Sequence, residues 1–390
     1  MLEISEDLKQ LSQDELLVYL GNNKSLFNLT FYDITDEMNE RFNHSYSEGY
    51  WRRRYHSLAS DILEEVSADE NKDDALMALK LERYKLADER TQANAYYRRL
   101  SREQTIKEIA IEVADKISSK KILPQFDIAH RANDSKEAIL CISDWHYGMD
   151  FTNYWNNYNP DIARERIVKL QDMVTKTIVD EGISRLHIVN LGDMIAGRIH
   201  LTIRLESRID VITQTIEVSE ILAEFVHALS QYAKIDYYDC ADNHSRLEPN
   251  KKEALNLETL QRIIPWYLQT RLSNQNDITI HTNNRDGEDI INFNIFDYKI
   301  AGVHGDKDRP IDVVNNINLL TKEHFDMILT AHLHHFSADE KDDTLIISNG
   351  SLMGTDTYSK NLRLYSRPSQ NLIIATPNNC FYSLERMVLD

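Results

Sequence analysis

Five short blocks of this chain carry metal-competent side chains: Asp144-Trp-His146, Gly192-Asp193, Asn243-His244, His304-Gly-Asp306 and His332-Leu-His334. Carboxylate and amide oxygens mixed with imidazole nitrogens suit Mn²⁺, Fe²⁺ or Zn²⁺ better than the all-oxygen cages of Mg²⁺ or Ca²⁺. One carboxylate, here Asp193, can bridge two ions roughly 3.5–4 Å apart. Such a pair activates a water as hydroxide and stabilises charge building on a phosphoryl group. An imidazole that is not a ligand can protonate the leaving oxygen. Asn243 and His244 are adjacent, so one can ligate while the other gives the proton. Each block alone is a weak signal, because D-x-H and H-x-H strings arise by chance. Five blocks behind similar segments are much harder to obtain by chance.

Those segments are apolar runs. Ile139 to Ser143, Leu186 to Leu191, Ile235 to Ala241, Tyr298 to Val303 and Met327 to Ala331 each lead into one block. Short runs rich in β-branched and aliphatic residues read as strands. Five strands that each end in a ligand-type residue deliver side chains to one edge of a sheet, where open α/β folds place their sites.

In this order and over about residues 136–390, the blocks resemble the calcineurin-like metallophosphoesterase superfamily. The resemblance implies an α/β fold, a four-layer α/β/β/α sandwich, and two divalent metal ions, Mn²⁺ ahead of Fe²⁺ or Zn²⁺. It implies that Asp144, His146, Asp193 and His334 hold one ion. Asp193, Asn243, His304 and His332 would hold the other, with His244 as general acid. Two positions depart from the superfamily pattern: Asp242 and Ala331 stand where Gly is usual. Asp tolerates a left-handed backbone better than most residues, and Ala is the smallest other choice, so both read as tolerated variants.

Residues flanking the blocks are candidates for substrate selection. Arg198 and His200 fall in a segment, Ile195 to Leu205, expected to loop over the site, and Arg246 follows His244 by two residues. Either Arg can grip a neighbouring phosphate with its planar fork, although an ordinary ion pair competes with that reading. Asp306 and Asp308 are placed to accept from ligand imidazoles. Asn349-Gly350-Ser351 is expected to close the sheet near the site, and Trp145 and Tyr147 to pack, with base stacking as the alternative for Tyr147. Lys251 and Lys252 read as electrostatic support or as solvated, and His324 and His335 have no assigned role.

Composition narrows the class. A chain of 390 residues with 42% hydrophobic content supports two or three domains with a sizeable core. The three Cys, at positions 141, 240 and 380, have no metal spacing and fit a reducing compartment. The first residues lack a basic and apolar leader, and no apolar run reaches a membrane span, so a soluble cytoplasmic chain with no membrane partner is expected. The formal net charge of −19 argues against a large non-specific grip on DNA.

The first third has a different texture. Residues 1–70 read as a helical module. A helix starts near Ser12, a second spans Asp33 to Phe42, and a third begins at Ser47 and carries Arg52, Arg53 and Arg54. Two short helices joined by about four residues, with three Arg on the second, resemble a helix-turn-helix that contacts DNA phosphates. A plain helical hairpin with solvated Arg residues is the alternative. Residues 71–120 read as one long amphipathic helix, with Leu79, Leu86, Ala93 and Leu100 spaced by seven. This stripe suits a homodimer or a fold back onto the catalytic domain. Residues 121–136 read as a linker, and 137–390 as the catalytic domain.

The domain order resembles tailed-phage and prophage proteins described as DNA repair exonuclease-like, and the blocks resemble the nuclease subunit of SbcCD-type complexes. The resemblance implies a metal-dependent phosphodiester hydrolase, a phage-type DNA nuclease using bridging-hydroxide attack on phosphorus. A phosphodiesterase or phosphatase for small, including cyclic, nucleotides is the first alternative. A non-catalytic DNA-binding protein is the second.

Overall fold

The computed structural model describes residues 11–24, 29–66, 70–125, 135–199, 201–255, 257–282, 284, 286–361, 363 and 365–390. The chain divides into two compact units, residues 1–101 and 102–390.

The first unit contains a three-helix cluster: α1 (Gln13–Asn22), α2 (Phe31–Phe42) and α3 (Glu48–Val66). Capping boxes start α1 and α2, pairing Ser12 with Glu15 and Thr30 with Asp33. Each cap satisfies N–H groups that a helix start leaves unbonded, worth about 1 kcal/mol. Asn43, at φ 52°, ends α2. Leu16, Leu17, Leu20, Ile34, Met38 and Trp51 form the core. The turn before α3 is pinned by Asn39, whose Oδ1 accepts from Trp51 Nε1 at 2.9 Å and Tyr46 N at 3.1 Å.

One continuous helix, α4 (Glu70–Ser119), spans the boundary between the units. Leu79, Leu86 and Leu100 are exposed. Ile109 and Val113 are buried in the core of the second unit, and Ile117 packs against it. Among the described residues of this chain, the stripe packs at its C-terminal end.

In the second unit the order opens with β1 (Glu137–Ile142), β2 (Phe151–Thr152), β3 (Asn157–Tyr158), α5 (Pro160–Glu181), β4 (Arg185–Asn190), α6 (Leu201–Leu205), α7 (Val211–Leu229) and β5 (Lys234–Asp239). It continues with α8 (Ile263–Arg271), β6 (Ile278–Ile280), β7 (Ile291–Ile295), β8 (Tyr298–Gly302), α9 (Val313–Thr321) and β9 (Met327–Thr330). The last elements are β10 (Ser337–Lys341), β11 (Thr344–Ser348), α10 (Thr357–Asn361), β12 (Ser369–Thr376) and β13 (Asn379–Val388).

Two sheets form the centre. One has the order β13-β12-β1-β4-β5-β6, with β1, β4, β5 and β6 parallel. The other has the order β10-β11-β9-β8-β7. Alternation along each strand divides the side chains between layers. Ile139 and Cys141 of β1 face the apolar layer shared by both sheets, together with Ile300, Met327, Leu329 and Ile347 of the second sheet. Ala138, Leu140 and Ile142 face a core that also takes Leu170 and Val174 of α5 and Leu222 and Val226 of α7. Ala301 and Ile328 pack with Val313, Val314 and Ile317 of α9 on the far side. The result is the expected four-layer α/β/β/α sandwich. Each fully buried aliphatic side chain is worth roughly 1.5–3 kcal/mol, so the strands that carry the site are rigidly seated. Among the described residues, no helix is long and apolar enough to cross a membrane.

Candidate metal centre

The five apolar runs are strands β1, β4, β5, β8 and β9, and each block lies just past a strand's C-terminal end. The loop ends are knitted together by backbone bonds. Asp144 N donates to Gly192 O and His146 N to Asp193 O, both at 3.0 Å, and Ala331 N donates to His304 O at 3.0 Å.

The side chains converge in two clusters. Asp144, His146, Asp193 and His334 bring one ligand atom each within 4.8 Å of one another, and Asp193, His304 and His332 do the same. Asp193 belongs to both. Its Oδ2 lies 3.3 Å from His304 Nε2 and 3.8 Å from both His146 Nε2 and His244 Nε2, yet it is buried and accepts no hydrogen bond. Asp144 Oδ1 is likewise buried without a hydrogen bond, 3.2 Å from His334 Nε2.

His304 shows what these contacts mean. Its Nδ1 donates to the Leu191 carbonyl at 2.7 Å, so Nε2 carries the lone pair of the neutral ring. That nitrogen faces Asn243 Oδ1 at 2.8 Å, His332 Nδ1 at 3.2 Å and Asp193 Oδ2 at 3.3 Å. Acceptors this close are reconciled by positive charge, either a proton or a cation. Burial opposes charge on His304, but the Asp193 carboxylate outweighs it and lifts the imidazole to about 10. His334 is raised too, against burial, by Asp144. Burial and the neighbouring His244 hold His146 well below its ordinary value, and burial and His304 lower His332. Burial would lift the Asp193 carboxyl, but His244 and His304 hold it well below the usual range. Partnerless buried carboxylate oxygens and convergent nitrogens fit two divalent ions sharing Asp193.

Further residues hold the ligands. Ser143 Oγ donates to Asp144 Oδ2 at 2.7 Å and itself accepts from Asn349 Nδ2 at 2.9 Å. Ser351 Oγ donates to the Asp144 carbonyl. Gln370 Oε1 accepts from Ser143 N at 2.8 Å. The Asn349 to Ser351 segment thus lies behind Asp144. Gln370, Ser143 and Asn190, whose Oδ1 accepts from Gly192 N, belong to no motif, and only their place beside strand ends would have pointed to them.

The expectations for Asp242, Ala331, Asp306 and Asp308 are corrected. Asp242 and Ala331 are not left-handed, whereas the candidate ligands Asp144, His146, Asp193, His332 and His334 are. Asp242 instead accepts from Asp193 N at 3.0 Å and from Ser245 N and Oγ, so it braces Asp193. Asp306 and Asp308 do not take the His304 N–H, which goes to Leu191. Asp306 pairs with Lys251 at 3.4 Å, and Asp308 accepts from Asn316. Arg198 makes a carbonyl clamp on Leu247 through Nε and Nη2.

His244 donates through Nδ1 to the Ala196 carbonyl. Arg246 gives Nη2 to the Pro249 carbonyl, and its buried Nε has no hydrogen bond. Trp145 and Tyr147 are buried, and Tyr147 OH donates to Glu217. His200 lies outside the described residues. In the first unit, Arg52 pairs with Glu48 and Arg54 with Asp14, both at 2.6 Å, while Arg53 is exposed.

Residues 6–66 match the family described as the YonJ N-terminal domain. Over 377 residues the chain is 22% identical to the SPbeta prophage-derived uncharacterized protein YonJ of Bacillus subtilis (strain 168), covering 92% of each chain. Similar solved structures include a novel archaeal phosphodiesterase, at 15% identity and TM-score 0.34, covering 65% of this chain and 99% of that one. Vps29 complexed with Zn²⁺ from Entamoeba histolytica is similar at 13% identity and TM-score 0.31, covering 65% and 99%.

Proposed function

We propose that this chain is a metal-dependent phosphodiester hydrolase that acts on DNA as a nuclease of prophage type. The observation that carries the reading is Asp193, shared by two ligand clusters, with a buried oxygen that accepts no hydrogen bond. Its 22% identity to a prophage-derived protein over nearly the whole chain supports the prophage setting.

Asp144, His146, Asp193 and His334 would hold one ion, and Asp193, Asn243, His304 and His332 the other. When bound, two such ions supply an activated water and neutralise charge on the phosphoryl oxygens. The remaining work falls to the protein's own groups. His244 is oriented by the Ala196 carbonyl, so its Nε2 is the nitrogen able to carry a proton to the leaving oxygen. Arg246 lines the same cleft as Asn243 and would hold an adjacent phosphate. The shell of Ser143, Asn349 and Asp242 fixes the ligands before substrate arrives.

The net charge of −19 favours a second reading, hydrolysis of small or cyclic nucleotides. One experiment separates them: Mn²⁺-dependent turnover of linear DNA, a cyclic dinucleotide and bis(p-nitrophenyl) phosphate. DNA cleavage is expected together with reporter hydrolysis. Turnover of none of the three with Mn²⁺, Fe²⁺ or Zn²⁺ overturns the hydrolase reading, and turnover confined to the cyclic dinucleotide and the reporter favours the second.

A further inference from the structure

Two clefts lie next to the centre in the same unit. The first, about 480 Å³, is lined by Asp242 and Asn243 and by Arg246, Lys251, Leu255 and Leu257. The second, about 370 Å³, is lined by Gln261, Arg262 and Trp266. Both include Ala241, Thr259, Gly287 and Glu288, so they are contiguous and lead away from the ligand Asn243. Each volume falls within the ~300–1,000 Å³ of small-ligand sites.

The lining is amphipathic. Leu255, Leu257 and Trp266 are 59%, 57% and 46% exposed. Three of the four cations are matched by acids: Lys251 pairs with Asp306, Lys307 with Asp289 at 2.7 Å and Arg262 with Glu288 at 3.9 Å, while Asp239 and Asp242 also line the clefts. Arg246 is different, since its Nη2 bonds a neutral carbonyl and its Nε has no hydrogen bond. Gln261, which is 1% exposed, spends Nε2 on Asp239 and leaves Oε1 without a partner. A duplex needs a surplus of cations along both backbones. A single strand is held by few phosphate contacts and by stacking of its bases on aromatic faces. Exposed apolar faces with one guanidinium that pairs with no carboxylate among the described residues suit the single strand.

Resting on the phosphodiesterase reading, we propose that these two clefts form one track for single-stranded nucleic acid, in which Arg246 meets a phosphate next to the scissile one and Trp266 stacks a base.

The full chain is tested by anisotropy with a short labelled oligothymidylate, single-stranded or annealed to its complement, with Ca²⁺ replacing Mn²⁺. Trp266→Ala should weaken single-strand binding by about 5- to 150-fold, the range expected for one lost stacking contact. Trp266→Phe should restore most of the affinity while abolishing the quenching of tryptophan fluorescence that unlabelled oligothymidylate produces in the parent. Hydrolysis of bis(p-nitrophenyl) phosphate should stay unchanged in both variants. Equal single-strand affinity in Trp266→Ala and parent overturns the track, as does duplex binding that is tighter than single-strand binding and equally lost on substitution. A parallel fall in reporter turnover in Trp266→Ala also overturns it, by marking Trp266 as structural. Trp266-dependent binding without any turnover by the parent would leave the track standing and remove the hydrolase reading instead.

Discussion

His244 Nδ1 donates to the Ala196 carbonyl at 2.7 Å, which leaves Nε2 as the ring's reactive nitrogen, 3.8 Å from Asp193 Oδ2. The imidazole is thus aimed at the centre by a bond on its far side. His244→Ala should slow hydrolysis of diesters with poor leaving groups by about 10²-fold or more. The loss should be much smaller for a p-nitrophenolate, which leaves without a proton. Metal content, read by mass spectrometry, should not change. Equal losses for both leaving groups would make His244 a ligand or a positioning residue.

The same aim depends on Gly197. It sits at φ +71°, and a Cβ there would meet the His244 carbonyl oxygen at 2.0 Å. Because the clash is with backbone, relief requires the Ala196–His244 pair to move apart. Gly197→Ala should therefore reproduce the His244→Ala pattern of leaving-group dependence while keeping the metals. A variant with parental kinetics on both leaving groups would show that the loop yields without cost.

Asp193→Asn should lower bound metal and abolish reporter hydrolysis, because both clusters lose their shared anion. Two ions per chain with unchanged turnover would remove the shared-ligand assignment.

Burial lifts the Asp239 carboxyl to about 7, against hydrogen bonds from Tyr237, Gln261 and Asn190. The folded chain therefore holds this proton where an unfolded Asp, near ~3.9, has released it. With more protons on the folded state, stability falls as pH rises from about 4 to about 7. Asp239→Asn should flatten that part of the profile. Urea unfolding at both ends of the window checks it, and a parental pH slope in the variant counts against the buried carboxyl as its source.

Arg53 is the clean probe of the amino-terminal module, since Arg52 and Arg54 are engaged with Glu48 and Asp14. If the module contacts phosphate, Arg53→Glu should weaken DNA binding across sequences. It should also reduce the log affinity against log salt slope by about 0.9 for one lost contact. An unchanged slope would assign Arg53 to solvent.

The strands and the residues at their tips were legible because an apolar run that stops abruptly at Asp, Asn or His is what a buried strand with a polar tip requires. The layer order came from the resemblance and not from the runs, whose residues are apolar on both faces; the structure sorts them, with Ile139 and Cys141 facing one way and Leu140 and Ile142 the other. What escaped was whatever depends on backbone or on distant sequence. The partner of His304 is the Leu191 carbonyl, which has no side-chain signature. Gln370 reaches Ser143 across 227 residues. Asp242 looked like a substitute for glycine's freedom, but its carboxylate is what matters. The long helix carries one periodic signal through two environments, exposed at Leu86 and buried at Ile109.

Asp144, His146, Asp193, His332 and His334 all occupy left-handed backbone conformations. Asp and His are among the few residues besides Gly that accept this region readily, whereas other side chains pay of order 1–3 kcal/mol there. Under the proposed assignment each of these positions must meet two demands, a donor atom and the bend it makes. Swapping His for Glu or Cys to favour a different ion would keep a donor but lose the bend. Retuning this centre to another metal should accordingly succeed through the bracing residues Ser143, Asp242 and Asn349, and fail through the ligands themselves.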